Sequence, residues 1–284
     1  MNFQIIQPID ALKPYIYRYV FVKADGSTDT MTPPPYDPRF VNGKHVQPFL
    51  PNYGSMVFIR NVVVEVCGKI SDSLLLLGAN QKTIGITTLS GWFEGMLVDF
   101  EPGGMHALLG ISLQQLSGRV LNVKEYGDTG LQQCDLLYKT TSDVRDVARL
   151  LDAFFVGHLP CKEDINYHRL RQVVNACDVY KGNITAVDMA SVACLGERQF
   201  LRIFRKYVGM SPKQFIRLRR FHRALQSMQQ QSHANIDLMS IALQHGYYDL
   251  SHMALDFRRM GCVSPAHFRM LGIPLTDDFS VFFA

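Results

Sequence analysis

A short pattern occurs twice in the last third of the chain, and it restricts what that third can fold into. The first copy runs Met189-Ala190, a turn, then Phe200, Arg202, Phe204, Arg205 and Lys206, and closes at Gly209-Met210-Ser211-Pro212. The second runs Ile241-Ala242, Gly246-Tyr247, then Met253, Phe257, Arg258 and Arg259, and closes at Val263-Ser264-Pro265. Phe204 and Phe257 stand 53 residues apart, and so do Ser211 and Ser264. Chance rarely reproduces spacing, apolar positions and terminator together, so the copies read as one repeated supersecondary unit. Each reads as helix, tight turn, helix, with basic residues on the second helix. That is how a protein lays a helix into the major groove of DNA.

In the first unit the sequence predicts a short helix from Ile184 to Ala193, buried through Val187, Met189 and Ala190. Cys194-Leu195-Gly196 makes the turn, with Gly196 as N-cap. The next helix buries Phe200, Ile203, Phe204 and Tyr207. Glu197, Arg198, Leu201, Arg202 and Arg205 are left on its other faces. Arg198 and Arg202 lie one turn apart on one face, where an arginine can grip a guanine edge with two hydrogen bonds. Arg205 and Lys206 add to the basic surface. Ser211-Pro212 starts a long helix through Gln231, with proline in its first turn. Its Arg217, Arg219, Arg220 and Arg223 suit either phosphate contacts or salt bridges between the units. In the second unit Gly246 permits a left-handed turn, Asp249 is placed to cap the next helix, and Met253 and Phe257 take the buried positions.

These residues resemble the AraC/XylS family of bacterial transcription regulators. The resemblance covers about residues 165–270. It rests on Ala190, Phe204-Arg205 and Gly209-Met210-Ser211-Pro212 in the first unit, and on Ile241-Ala242, Gly246-Tyr247, Asp249 and Ser251-His252 in the second. It implies two helix-turn-helix units joined by one long helix and bound to adjacent major-groove segments of double-stranded DNA. Bases are then met two, three and six residues before the buried phenylalanine. Those positions are Arg202, Leu201 and Arg198 in the first unit and Leu255, Ala254 and Ser251 in the second. The chain departs from the family where Leu255 replaces arginine, Met253 replaces phenylalanine and Cys262 replaces glycine. The second unit therefore either meets thymine methyl groups through Leu255 and Ala254 or grips phosphate through Arg258 and Arg259.

Charge divides the chain in the same place. Residues 162–272 hold 16 Lys/Arg against 8 Asp/Glu, and residues 1–161 hold 13 against 15. A basic half joined to a near-neutral half suits one polyanion-binding domain. Six scattered cysteines, with no C-x-x-C pair, argue against structural zinc and fit a reducing compartment. The first residues, MNFQIIQPID, lack the basic lead of a signal peptide, and no apolar run is long enough to span a membrane. The expectation is a cytoplasmic protein with no cofactor and no metal.

The first half is rich in strand-like runs. They are 14–22, 46–50, 55–60, 62–67, 74–77, 83–88 and 93–100, with the proline-rich 32–38 as a loop. Such runs argue for an antiparallel sandwich or barrel. Residues 104–109 and 113–116 look helical, and Asp143–His158 more clearly so, with a linker at 158–164. Pro14-Tyr15-Ile16, Tyr19, Phe21, residues 51–58 and residues 102–110 resemble the sensor domain common in the same family. This resemblance implies a cupin-like β-barrel, often with a small-molecule pocket, followed by helices that frequently dimerise. The fold class is then α+β. The expected divisions are 1–160 for sensing or dimerisation, 161–272 for DNA binding, and a tail at 273–284 whose Phe279, Val281, Phe282 and Phe283 dock on a surface.

Tyr17, Tyr19, Phe49, Phe58, Trp92 and Phe93 are the candidate effector-lining residues; barrel core is the alternative. Val144, Val147, Leu151, Phe154 and Phe155 form an apolar stripe, read either as a homodimer face or as a face packed on its own barrel. His45, His106 and Glu94 or Glu101 match no cupin metal spacing. The leading function is a non-enzymatic transcription regulator that senses a small molecule or dimerises and meets RNA polymerase if it activates. The alternatives are a ligand-independent regulator whose first half binds a protein, a cupin-type enzyme fused to the reader, and a repair methyltransferase so fused, for which none of the cysteines is suitably placed.

Overall fold

The structure, a computed structural model, describes residues 2–24, 40–41, 44–49, 52–82, 84–88, 93–230, 237–260 and 264–266. The tail expected at 273–284 and Cys262 lie outside the described residues. The amino-terminal strands are β1 (Asn2–Ile6), β2 (Ile16–Ala24), β3 (Phe40–Val41), β4 (Lys44–Phe49), β5 (Ser55–Ile59), β6 (Val64–Val66), β7 (Lys69–Ser71), β8 (Leu75–Leu77), β9 (Ile84–Thr88), β10 (Phe93–Phe100) and β11 (Val120–Asn122). Between and after them come α1 (Gly104–Leu109), α2 (Leu113–Leu116), α3 (Val123–Tyr126), α4 (Thr129–Thr140) and α5 (Val144–Val156).

Among the described residues the strands form two antiparallel sheets. One runs β1-β2-β10-β5-β8-β11 and the other β3-β4-β9-β6-β7. The expected closed barrel is not formed: β11 and β7 end their sheets without pairing to each other. The six-stranded sheet is buried on both faces, which is why all five residues of β5 are inaccessible. Strand side chains alternate, so Val57, Ile59, Leu75, Leu77 and Leu97 face the second sheet with Val64, Val66 and Ile86. Met56, Phe58, Leu76, Met96 and Val98 face the helices.

A bulge at the start of β2 explains a misleading alternation. Asp99 pairs with Arg18 and Phe100 with Ile16, so Tyr17 has no partner opposite. The extra residue turns Tyr17 to solvent, while Tyr19 is fully buried on the helix side.

In helix α5 the apolar stripe packs against the chain's own sheet. Asp143 caps the helix by accepting from the Arg145 and Asp146 N–H groups. Val147, Leu151 and Phe155 are buried under the six-stranded sheet, with Val144 and Phe154 partly buried against the same cluster. Those three central residues offer no face to a second copy. Helix α4 buries Leu131, Cys134, Asp135 and Tyr138 at helical spacing and leaves Leu136 and Leu137 exposed.

The carboxy-terminal half is helical: α6 (Ile165–Val179), α7 (Ala186–Val192), α8 (Glu197–Val208), α9 (Pro212–Gln230), α10 (Leu238–Gln244) and α11 (Leu250–Arg259). The two halves share core. Tyr53 and Ala79, from the strand half, belong to the helical cluster, and the Tyr53 ring packs on Phe215 of α9 at 5.2 Å. Gly209, which ends α8 with φ 77°, is tightly fitted: a β-carbon there would lie 2.8 Å from the Leu113 carbonyl oxygen and 2.9 Å from the Ala79 Cβ. The end of α8 is thereby set against α2.

Candidate nucleic-acid interface

The two helix-turn-helix units are built alike at the level of single hydrogen bonds. In the first, the N–H of Leu195 donates to the Ala190 carbonyl; in the second, Tyr247 donates to Ala242, both at 3.0 Å. Each bond closes the first helix around a left-handed residue. That residue is Gly246 in the second unit, φ 76°, and Cys194 in the first, φ 52°. Ala190 and Ala242 are small enough to let the two helices of each unit meet closely, and both are buried.

Cys194 pays the steric penalty that glycine avoids. A β-carbon in the left-handed region costs roughly 1–2 kcal/mol, part of which glycine returns as unfolded-state entropy. Cys194→Gly is expected to stabilise the domain by about 1 kcal/mol, read as a higher melting temperature. An unchanged or lower melting temperature would show that the turn is not strained.

Caps set where the helices begin. Thr185 and Asp188 form a reciprocal capping box on α7. Gly196 precedes α8 in extended conformation and gives no side-chain cap. Ser211 and Gln214 exchange bonds around Pro212 to start α9, with Ser211 N–H to Gln214 Oε1 at 2.8 Å. Asp237 caps α10 and Asp249 caps α11. Within α7 the buried arc is Met189, Ala190 and the following Ala193. Val187 was expected there, yet it lies off that arc and is 51% exposed.

Helix α8 buries Phe200, Ile203, Phe204 and Tyr207, as its sequence predicts. Arg198, Arg202, Arg205 and Lys206 are exposed and Leu201 is half-buried. On α11, Met253, Phe257 and Asp256 are buried. Ser251, Arg258 and Arg259 are exposed, Ala254 is half-buried, and Leu255 is 38% exposed.

The arginines of α9 are committed inside the domain. Arg217 donates to Asp256 on α11 at 2.6 Å. Arg219 and Arg223 both pair with Asp178 of α6, and Arg220 donates to the Gly182 carbonyl at 2.9 Å. Of the two readings open for them, salt bridges are what these arginines make. Ser227 and His245 meet at 2.7 Å and bind α9 to the second unit. Asp256 was not singled out as a site residue, although an acid on an arc of Met253, Phe257 and Met260 signals a buried partner.

The residues proposed to line an effector pocket are scattered. Tyr17 is exposed. Tyr19 donates its hydroxyl to Asp152 at 2.9 Å, and Phe58 packs in the core against Tyr138. The side chains of Phe49 and Phe93, and all of Trp92, lie outside the described residues. A cavity of about 230 Å³ opens elsewhere, between the end strands β7 and β11. Val66, Leu75 and Val120 form its floor and Lys69, Lys124 and Glu125 stand at its rim. His106 is buried at the junction of the halves, its Nδ1 2.8 Å from the Ile111 carbonyl and its ring edge-on to Tyr207 of α8. Glu94 pairs with Arg60 and Lys23. Among the described residues no three His, Cys, Asp or Glu side chains are grouped to hold a metal, and no helix is long and apolar enough to cross a membrane.

The family model described as "Helix-turn-helix domain" matches residues 189–270. An uncharacterised HTH-type transcriptional regulator of Haemophilus influenzae is 30% identical over 81 residues, 28% of this chain and 26% of that protein. The chain thus spans about a quarter of that relative's length in the match. ToxT from Vibrio cholerae is similar in structure at TM-score 0.47 and 14% identity, over 83% of this chain and 94% of that one, and was solved bound to unsaturated fatty acid. The DNA-binding domain of AdpA, a global transcriptional factor solved with a target DNA, aligns at TM-score 0.33 and 22% identity over 36% of this chain and 90% of that one. Over residues 189–270, with its paired units and long joining helix, the chain is a helix-turn-helix domain.

Proposed function

We propose that the chain is a sequence-specific regulator of transcription whose two units read adjacent major-groove segments. One observation carries this reading: which arginines are paired and which are not. Those of α9 are consumed in internal bonds. Arg198, Arg202 and Arg205 on α8 and Arg258 on α11 make no hydrogen bond or ion pair among the described residues, and all are exposed. A protein that leaves four guanidiniums of its reading helices unpaired has kept them for an external partner rich in acceptors.

In this reading Arg198, Leu201 and Arg202 meet bases in the first half-site, with Arg205 and Lys206 on phosphate. Ser251, Ala254 and Leu255 face the second half-site, where an apolar side chain suits thymine methyl groups, with Arg258 and Arg259 on the backbone. The amino-terminal half responds to a small molecule, and the protein acts at promoters in the cytoplasm, alone or with RNA polymerase. A homodimer would use Leu136 and Leu137 of α4, which are exposed, whereas Val147, Leu151 and Phe155 of α5 are buried within the chain.

The test is a pair of alanine variants on a site selected from random duplexes by the full chain. Arg202→Ala is expected to weaken that site by about 1–3 kcal/mol and relax its guanine preference. Leu255→Ala is expected to weaken it less. Binding of the wild type should fall steeply with salt, as phosphate contacts release counterions. Equal or reversed losses would remove the assignment of sequence reading to the first unit.

A further inference from the structure

A second cavity, of about 120 Å³, lies on the seam between the two halves. It has the volume of about four waters. Lys13, Glu101 and Pro102 line it from the strand half, and Tyr167, Arg171 and Asn175 line it from α6.

Its walls are fixed. Tyr167 donates its hydroxyl to the Pro14 carbonyl at 2.6 Å and stacks on Tyr15 at 5.1 Å. The Glu101 N–H donates to the Tyr15 carbonyl at 2.9 Å. The opposed charges within these walls do not meet. Neither the Glu101 carboxylate nor the Arg171 guanidinium makes a hydrogen bond or an ion pair among the described residues. Burial pushes the Glu101 carboxyl upward, with Arg219 and Arg171 opposing that shift and Asp178 adding to it. Lys13, also at the rim, is paired with Asp10 at 2.6 Å.

A cavity with a carboxylate and a guanidinium that share it without touching is poorly suited to a plain anion, which would face Glu101. It is poorly suited to a plain cation, which would face Arg171 and Lys13. A small molecule carrying both charges satisfies both walls. We propose that this seam cavity binds a small α-amino acid, its carboxylate on Arg171 and its ammonium on Glu101, so that one ligand ties the strand half to the helical half. This rests on the reading of the amino-terminal half as the effector-responsive part.

The probes are glycine, L-alanine and L-serine, with acetate and methylammonium as half-molecules, titrated calorimetrically into the full chain. At least one amino acid is expected to bind, and both half-molecules to bind about tenfold more weakly or not at all, since each charge-assisted bond is worth about 1.5–3 kcal/mol. Arg171→Gln should lose the amino acid by about tenfold or more. Glu101→Gln should lose it too, and should take up acetate better than the wild type does, because the repelling carboxylate is gone. A merely structural role for Glu101 would not produce that gain. Absence of binding by all three amino acids, or acetate binding the wild type as tightly as glycine does, would overturn the proposal. DNA binding by the same preparation is measured alongside. If it persists while the amino acids fail, this inference falls alone; if it fails, the regulator reading falls.

Discussion

Arg217→Ala is expected to cost the carboxy-terminal domain about 3–5 kcal/mol, the loss typical when one partner of a buried ion pair is removed. Asp256 is 1% exposed and sits on α11. Arg217, on α9, donates to its Oδ1 at 2.6 Å, whereas the next cation, Arg259, is 4.0 Å from the same oxygen and faces solvent. Without Arg217 the carboxylate must stay buried almost alone or pull α11 off α9. Each outcome weakens the second unit, so DNA binding should suffer although Arg217 touches no base. A double replacement, Arg217→Leu with Asp256→Leu, removes both charges and should recover most of the stability. Denaturant unfolding of both variants checks this; a loss below about 1 kcal/mol for the single change would mean that the pair behaves like a surface bridge.

Val147→Glu together with Leu151→Glu is expected to unfold the amino-terminal half rather than to yield a folded monomer. Both side chains are buried, at 1% and 0% exposure. Each loses about 1.5–3 kcal/mol of apolar burial, and each new carboxylate must be taken from water at a further cost. The sum approaches or exceeds the 5–15 kcal/mol that typically holds a domain folded. Leu136→Glu with Leu137→Glu, on the exposed face of α4, should leave stability within about 0.5 kcal/mol per site. Circular dichroism and sedimentation separate the cases. A folded monomer from the α5 pair would restore that helix as the dimer face, and an unaltered dimer from the α4 pair would remove α4 from that role.

Much of the helical half was legible because its signals are local. The spacing from Phe204 to Gly209, the Ser211-Pro212 start and the Asp249 cap are short-range chemistry, and α8 ends and α9 and α11 begin where those residues place them. Val187 was misplaced because a seven-residue helix offers too few turns to fix its buried arc. In the strand half, β2, β5 and β10 were readable from β-branched and aromatic runs. Strands β7 and β11 were not, at three residues each. Helix α4 was hidden because its outward Leu136 and Leu137 blur the apolar period. Two further failures come from pairing that no single segment contains. The bulge at Tyr17 depends on β10, and burial of the α5 stripe depends on a sheet already covered by other strands on its far side. The Arg217–Asp256 pair lies between, since a lone acid on a buried arc is visible in sequence while its partner is not.

The fit at Gly209 bears on how such chains can be recombined. The repeat suggests interchangeable units, yet the first ends in a glycine that a methyl group could not replace without displacing the Leu113 carbonyl and Ala79. Grafting the reader onto a different front half would therefore require the acceptor to supply its own groove for Gly209 and its own ring to cover Phe215 in place of Tyr53. The seam is thus matched on both sides, so a graft that keeps α8 must keep the surface of α2 that receives it.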